Sequence, residues 1–325
     1  MPECPVKKVV VVSDIHLAEK EERERGITEY EVIKNPCLRL VVKFFRYFIW
    51  NRDPFSHEVL LNGFLNQVED FDYLVANGDF SCDTAFLGVS DPPSFLSAAA
   101  AIRLLKEKAG HRLYATMGDH EIGKQSLFGG KGGLRLKSLE QTRIGLGIEP
   151  FWSKRVGSFQ IMGLASPLLA LPVYLPETLP EEREEWEQIR KDHLDQIYSA
   201  FDQLVPEDRV ILFCHDPTAL PFLLEIAPLQ KKVHQIEATI IGHLHSNLIL
   251  RLARLMAGFP TIPFCGTSIK RITGALNRAK TWKQFKVTLC PSLAGIQLLK
   301  DGGFLTLGLH PDPSTPPSIR FHALR

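Results

Sequence analysis

The chain lacks most of the features that assign a sequence quickly. Its six cysteines, Cys4, Cys37, Cys82, Cys214, Cys265 and Cys290, are scattered over 325 residues with no Cys-x-x-Cys spacing. That argues against a disulfide framework and reads as reduced thiols in a cytoplasmic protein. No apolar run reaches the roughly 18–20 residues of a membrane span. The start, Met1-Pro2-Glu3-Cys4-Pro5, has no basic region followed by an apolar stretch and a small-residue cleavage site, so no leader is expected. An excess of charge is missing too. With 38 Lys and Arg against 37 Asp and Glu the net charge is +1, too little for a molecule-wide attraction to nucleic acid or membrane. The run Gly129-Gly130-Lys131-Gly132-Gly133 lacks the Gly-Lys-Ser/Thr of a phosphate-binding loop and reads as a flexible loop. No internal repeat is evident.

What is present begins with Val9-Val10-Val11-Val12-Ser13-Asp14-Ile15-His16. Four β-branched residues in a row predict a strand buried on both faces. It stops at an Asp and a His two residues apart, and ligands of open α/β sheets bind at the carboxyl ends of strands. The same pattern recurs. Strands are expected at Phe71–Ala76, His111–Thr116, Arg209–Phe213 and Ala238–Ile241. They end in Asp79, Asp119-His120, His215 and His243-x-His245. Further strands are expected at Phe159–Leu164, Thr261–Phe264, Phe285–Leu289, Ala294–Leu299 and Phe304–Leu309. Helices are expected at Ser56–Val68, from a cap at Ser94 to about Lys108, and over Glu181–Leu204. The other six histidines, His57, His111, His193, His234, His310 and His322, read as surface or ordinary structural residues.

Five polar clusters at five strand ends suit metal chemistry. Imidazole favours Zn, Fe and Ni, carboxylate favours Mn and Mg, and a mixture points to a pair of first-row ions. A carboxylate between two ions can bridge them, and two ions about 3.5–4 Å apart can clamp a phosphoryl group.

The order Asp-x-His, Gly-Asp, Gly-Asp-His-Glu, His, Gly-His-x-His between Val9 and Ser268 resembles the calcineurin-like metallophosphoesterases. The resemblance implies an α/β fold, a four-layer αββα sandwich. It implies that Asp14, His16 and His245 hold one divalent ion, that Asp79 bridges, and that Asp119, His215 and His243 hold the second. His120 then acts at the phosphate, as general acid or charge stabiliser, with Glu121 orienting it. The reaction implied is hydrolysis of a phosphodiester, phosphomonoester or pyrophosphate by a metal-bridged hydroxide. Asp119 departs from the Asn usual in this family. The extra negative charge should acidify bound water less, giving a more alkaline activity profile and a preference for Mn²⁺ over Fe or Zn. The run Gly78-Asp79-Phe80-Ser81-Cys82-Asp83-Thr84 lacks the Arg of the family's phosphoprotein phosphatases and argues against that substrate.

Two stretches bear on the substrate. Leu38 to Trp50 is apolar and aromatic apart from Arg39, Lys43 and Arg46, which form one stripe on a helix. Such a helix is either wedged between other elements or in contact with a membrane surface or acyl chain. From Ala238 to Lys300 there is no Asp or Glu but nine basic residues, among them Arg251, Arg254, Lys270 and Arg271. These four are candidate substrate contacts, for an anionic phosphate-containing substrate or an anionic membrane surface. The chain looks compatible with the UDP-2,3-diacylglucosamine pyrophosphatases of this family, which makes a lipid-linked phosphate or pyrophosphate one candidate substrate. Their best-known branch has Arg where this chain has His120, so the chain departs from that branch and a His-bearing branch stays open. A nuclease or cyclic-nucleotide phosphodiesterase is the competing enzyme, with nucleic acid as partner. A metal-free interaction scaffold of the same fold is the third reading. The expected organisation is one domain over 1–310, with an apolar insertion near 36–70, a basic part at 246–300 and a poorly packed Pro-rich tail at 311–325. A cytoplasmic or peripheral membrane location follows.

Overall fold

The valine run forms β1 (Lys7–Val12), and its alternation assigns its two faces. Val9 and Val11 pack with Phe159, Ile161, Ile211 and Phe213 of a second sheet. Val10 and Val12 pack in the other large apolar cluster, with Leu61, Phe64 and Leu105 from helices. A period of two thus buries all four side chains, each stabilising by roughly 1.5–3 kcal/mol. The computed structural model describes residues 5–26, 29–126, 130–264, 267–312 and 314–324.

One sheet has the order β10 (Ser318–Ala323), β9 (Gly303–Leu309), β1, β2 (Tyr73–Asn77), β3 (Leu113–Thr116). The other runs β4 (Phe151–Val156), β5 (Phe159–Leu164), β6 (Arg209–Cys214), β7 (Ile236–Ile241), β8 (Val287–Leu289). Within them β1, β2 and β3 are parallel, as are β5 to β8. The α-helices of nine residues or more among the described residues are α1 (Pro36–Phe45), α2 (His57–Gln67), α3 (Pro92–Ala109), α4 (Leu136–Ile144), α5 (Arg183–Asp202), α6 (Asn247–Leu255) and α7 (Thr267–Arg278). Helices flank both sheets, which gives the αββα layers that the motif order implied.

Several local expectations are corrected. Thr261–Phe264 is not a strand. Pro260 and Pro263 remove amide donors there, and the Ile262 amide goes to the Thr273 hydroxyl at 3.0 Å. Ala294–Leu299 is a turn whose Gln297 and Leu298 amides bond the carbonyls of Trp50 and Ile49 at 2.8 and 3.1 Å. The tail adds an edge strand, β10, because β9 otherwise presents an unpaired row of backbone groups. The cap of α3 is Asp91, which accepts from the Ser94 amide at 3.1 Å, with Pro92 in the first turn. Gly130–Gly133 is not loose. The Gly133 amide bonds the Lys124 carbonyl at 2.9 Å, and a Cβ on Gly133 would strike Glu177. Gly129, Cys265 and Gly266 lie outside the described residues.

Leu38–Trp50 is the largest surprise. Asn35 caps α1 by accepting from the Cys37 and Leu38 amides at 2.9 and 3.1 Å. The helix then loosens into a π turn over Arg46–Trp50. Only Val42 is buried in α1, so the wedged-core reading fails. Lys43 and Arg46 lie over the Tyr30 ring at 5.2 and 5.9 Å, while Leu40 and Phe44 are exposed.

Candidate metal centre

The five clusters converge because the carboxyl ends of β1, β2, β3, β6 and β7 meet between the two sheets. Crossed backbone bonds lock the loops together. The Asp14 amide donates to Gly78 O at 3.1 Å, His16 to Asp79 O at 3.0 Å, and Gly242 to His215 O at 2.9 Å. Space is tight, and glycine is required where chains touch. A Cβ on Gly118 would strike the Asp79 carboxylate, and one on Gly242 would strike Ser13 and Asp14.

Five of the seven residues expected to hold metal, Asp14, His16, Asp79, His243 and His245, have φ between 48° and 60°. Such backbone is uncommon outside glycine and costs of order 1–3 kcal/mol per residue. No sequence pattern announces it. It turns each side chain inward from a strand end, and persists because the packing on every side over-determines it.

Two sets of ligand atoms result, each set within 4.8 Å of one another: Asp14, His16 and His245, and Asp79, Asp119, His215 and His243. A third grouping, His16, Asp79 and His120, links them. His215 Nε2 lies 3.1 Å from Asp79 Oδ2 and 3.7 Å from Asp119 Oδ1, and His245 Nε2 lies 3.5 Å from Asp14 Oδ1. Carbonyls hold the far sides of the rings. His215 Nδ1 meets Asn77 O at 2.6 Å, and His16 Nδ1 meets Ser81 O at 3.2 Å. That leaves each Nε2 aimed inward, the outer-shell arrangement that orients metal ligands. The buried His16 Nε2, His215 Nε2 and Asp119 Oδ1 have close neighbours but no hydrogen bond of good geometry. Orphaned inward atoms on a mixed imidazole and carboxylate set fit two divalent ions.

The electrostatics agree. Burial pushes the Asp14 carboxyl up to about 6. Burial also acts on Asp79, but His120 and His215 outweigh it and hold that carboxyl well below its usual range. For His243 burial is opposed by Asp216 and Asp119, which raise the imidazole to about 9. Without ions, then, this pocket balances carboxylates against imidazolium groups; cations can take over that role.

His120 lies beside the cluster, Nε2 3.5 Å from Asp79 Oδ2 and Nδ1 2.9 Å from Ser81 O. Burial holds its imidazole down to about 4, against the pull of Asp79. Glu121 does not orient this ring, contrary to expectation. Its carboxylate accepts from the backbone amides of Gly118, Phe80 and Asp79 at 2.7, 2.8 and 3.0 Å. It is a positioning residue that fastens the Asp79 loop to the Asp119 loop.

A cavity of about 620 Å³ opens on the His16, His120 and His245 side. Leu38, Val41, Phe45, Trp50, Phe55 and Phe86 supply much of its wall. The four basic residues expected at the substrate do not line it. Arg254 donates to Val287 O at 2.6 Å and Arg271 to Glu177 at 2.8 Å, while Arg251 and Lys270 lie exposed on α6 and α7. Its cations are Arg46 and Lys124 instead. His57, read from sequence as unremarkable, is buried in the cavity wall between Ile15 O at 3.1 Å and Asn51 Nδ2 at 2.8 Å. Lys124 had a usable signal, four residues past His120. His57 had none.

The sequence profile of the calcineurin-like phosphoesterases matches residues 7–247. No curated protein matches by sequence. Solved structures give distant likenesses. A dimetal phosphatase from Danio rerio is 12% identical over 98% of this chain and 97% of its own, with a TM-score of 0.47. Phosphopantetheinyl hydrolase from Mycobacterium tuberculosis is 10% identical over 74% and 84%, with a TM-score of 0.38. GAP50, described as the anchor in the inner membrane complex of Plasmodium, is 11% identical over 98% and 85%, with a TM-score of 0.39.

Proposed function

We propose that this chain, which belongs to the calcineurin-like phosphoesterase family, hydrolyses a phosphoester or pyrophosphate whose other end is a hydrocarbon chain. That it is a metal-dependent phosphoester hydrolase follows from the family; the lipid-linked substrate is our reading. The observation that carries it is the apolar cavity joined to the His16, His120 and His245 side of the metal centre. Pockets of this size bind by apolar walls and orient by a few polar groups.

Asp14, His16 and His245 would hold one ion, Asp119, His215 and His243 the other, with Asp79 between them. Such a pair neutralises phosphate charge and supplies a nucleophile at neutral pH. The chain's own groups do the rest. Leu38, Val41 and Phe45 hold the hydrocarbon and exclude water. Lys124 and Arg46 face the anionic part. His120 Nε2 stands beside the phosphate as the acceptor end of a neutral imidazole, with the Lys124 ammonium as the donor there, and passes a proton to the leaving group only after taking one up.

Reloading metal-stripped protein with Mn²⁺ tests this, using bis-p-nitrophenyl phosphate and a UDP-linked diacylated sugar, with Asp79→Ala as control. Metal-dependent turnover of the acylated pyrophosphate is expected. Turnover of the soluble diester alone would remove the lipid substrate. A chain that binds no metal and turns over neither would be the scaffold reading instead.

A further inference from the structure

Large apolar side chains exposed to solvent are concentrated in two stretches of this molecule. Of 25 among the described residues, 17 lie within 38–48 and 248–299. On α1 the side away from the cavity carries Leu40 and Phe44, 69% and 60% exposed, and Phe48 follows in the π turn at 52%. The Phe44 and Phe48 rings pair at 4.5 Å, and Tyr47 meets Phe48 at 4.7 Å. On α6 Leu248, Leu252 and Leu255 are spaced four and three residues apart on one face, and all are exposed, Leu255 at 83%. On α7 Ile269 and Ile272 do the same.

These elements join at the metal centre. Trp50, at the end of the π turn, packs on the His245 ring at 5.3 Å. The Ser292 amide bonds the His245 carbonyl, and the 297–298 turn bonds the carbonyls of Trp50 and Ile49. Ser246 caps α6 directly after His245. The Gly258 amide, just beyond α6, bonds Leu276 O of α7 at 2.9 Å.

Charge identifies the occupant. Lys34 to Arg52 contains five basic residues and no Asp or Glu, and Ala238 to Lys300 contains nine and none. A face for a second copy of this chain would set like charge against like across its two-fold axis. Exposed apolar helix faces on segments that carry cations and no Asp or Glu, with Phe44, Tyr47 and Phe48 among them, suit the boundary of an anionic bilayer. No helix among the described residues is long and apolar enough to cross one.

We infer that α1 with its π turn, α6 and α7 form a face that docks on an anionic lipid bilayer, with the cavity beside it. The face stands on these observations; only its purpose, drawing substrate from the bilayer, rests on the proposed function. Sedimentation of the full chain with phosphatidylglycerol–phosphatidylcholine vesicles, and with phosphatidylcholine alone, tests it. Binding is expected to the anionic vesicles and to weaken with salt. Phe44→Ser/Phe48→Ser and Leu252→Ser/Leu255→Ser, on separate elements and outside the cavity wall, should each lower partitioning roughly tenfold or more with the thermal midpoint kept. Arg251→Glu should lower it without touching apolar area. The inference falls if the folded wild type ignores anionic vesicles, or if all three variants bind as it does. It falls too if the wild type is a dimer that these substitutions dissociate. Vesicle binding without hydrolysis of an acylated substrate keeps the face and removes only the lipid substrate.

Discussion

The ammonium of Lys124 rests against Nε2 of His120, the residue four positions earlier, and also lies 3.3 Å from the Cys82 carbonyl. Two groups of the same wall thus share one spot beside Asp79, where an anionic oxygen would meet both. A charged hydrogen bond contributes about 1.5–3 kcal/mol. Lys124→Ala should therefore cut kcat/KM on a phosphodiester by roughly ten- to a hundredfold, with bound metal unchanged, and Lys124→Arg should restore part of it. Steady-state kinetics beside metal analysis decides this. Unchanged kcat/KM would make the lysine merely a prop for the Cys82 loop.

Asp119 carries a charge where the family usually has Asn, and its Oδ1 lies 3.2 Å from His243 Nδ1 and 3.7 Å from His215 Nε2. Removing that charge leaves a ligand oxygen in place but makes the centre more positive. The ionisation reported by the acid limb of the pH–rate profile should then move to lower pH in Asp119→Asn, and the relative preference for Mn²⁺ should weaken. A profile that stays in place in the reloaded variant would show that this carboxylate sets neither property.

Metal removal should cost stability as well as activity. The inward-turned backbone at Asp14, His16, Asp79, His243 and His245 is strained, and the ligand atoms of each set lie within 4.8 Å of one another. An ion that binds only the folded state adds about 2.7 kcal/mol at a hundred times its dissociation constant. At this chain length that is roughly 5 °C in the thermal midpoint. Calorimetry with and without chelator should show the drop, and Asp79→Ala should lose the difference. A midpoint indifferent to chelator would mean that no ion binds the folded chain appreciably more tightly than the unfolded one.

Much of the centre was legible because it sits where regular pattern ends. The valine run, the apolar strands and their Asp and His ends are local signals, and five of them in order define a family. What was not legible came from tertiary contact. The family resemblance implies that Glu121 orients His120, yet its carboxylate is taken up by three backbone amides. The basic run after Ala238 looked like a substrate site, but Arg271 is held by Glu177, 94 residues earlier. Thr261–Phe264 had strand composition, and two prolines decided against it. The strand over Ser318–Ala323 exists because β9 offers an edge, which nothing in the tail's own composition reveals.

His193 provides a test of stability away from the metal centre. It lies on α5, 2% exposed, and neither ring nitrogen has a hydrogen-bond partner. Burial, with Arg190 adding to it, lowers its imidazole from 6.5 to about 3. The unfolded chain therefore binds a proton that the folded chain refuses. Stability from this site is full above pH 6.5 and falls as pH drops through the interval down to about 3. At pH 5 the loss is about 2 kcal/mol relative to pH 7. Replacing an unpaired buried polar ring by an apolar side chain of similar size is close to neutral. His193→Phe should accordingly unfold at a similar denaturant midpoint at pH 7 and at a higher one than wild type at pH 5. Chelator in both samples removes any contribution from metal loss. Parallel curves for the two proteins from pH 7 to pH 5 would show that His193 is protonated in the folded state.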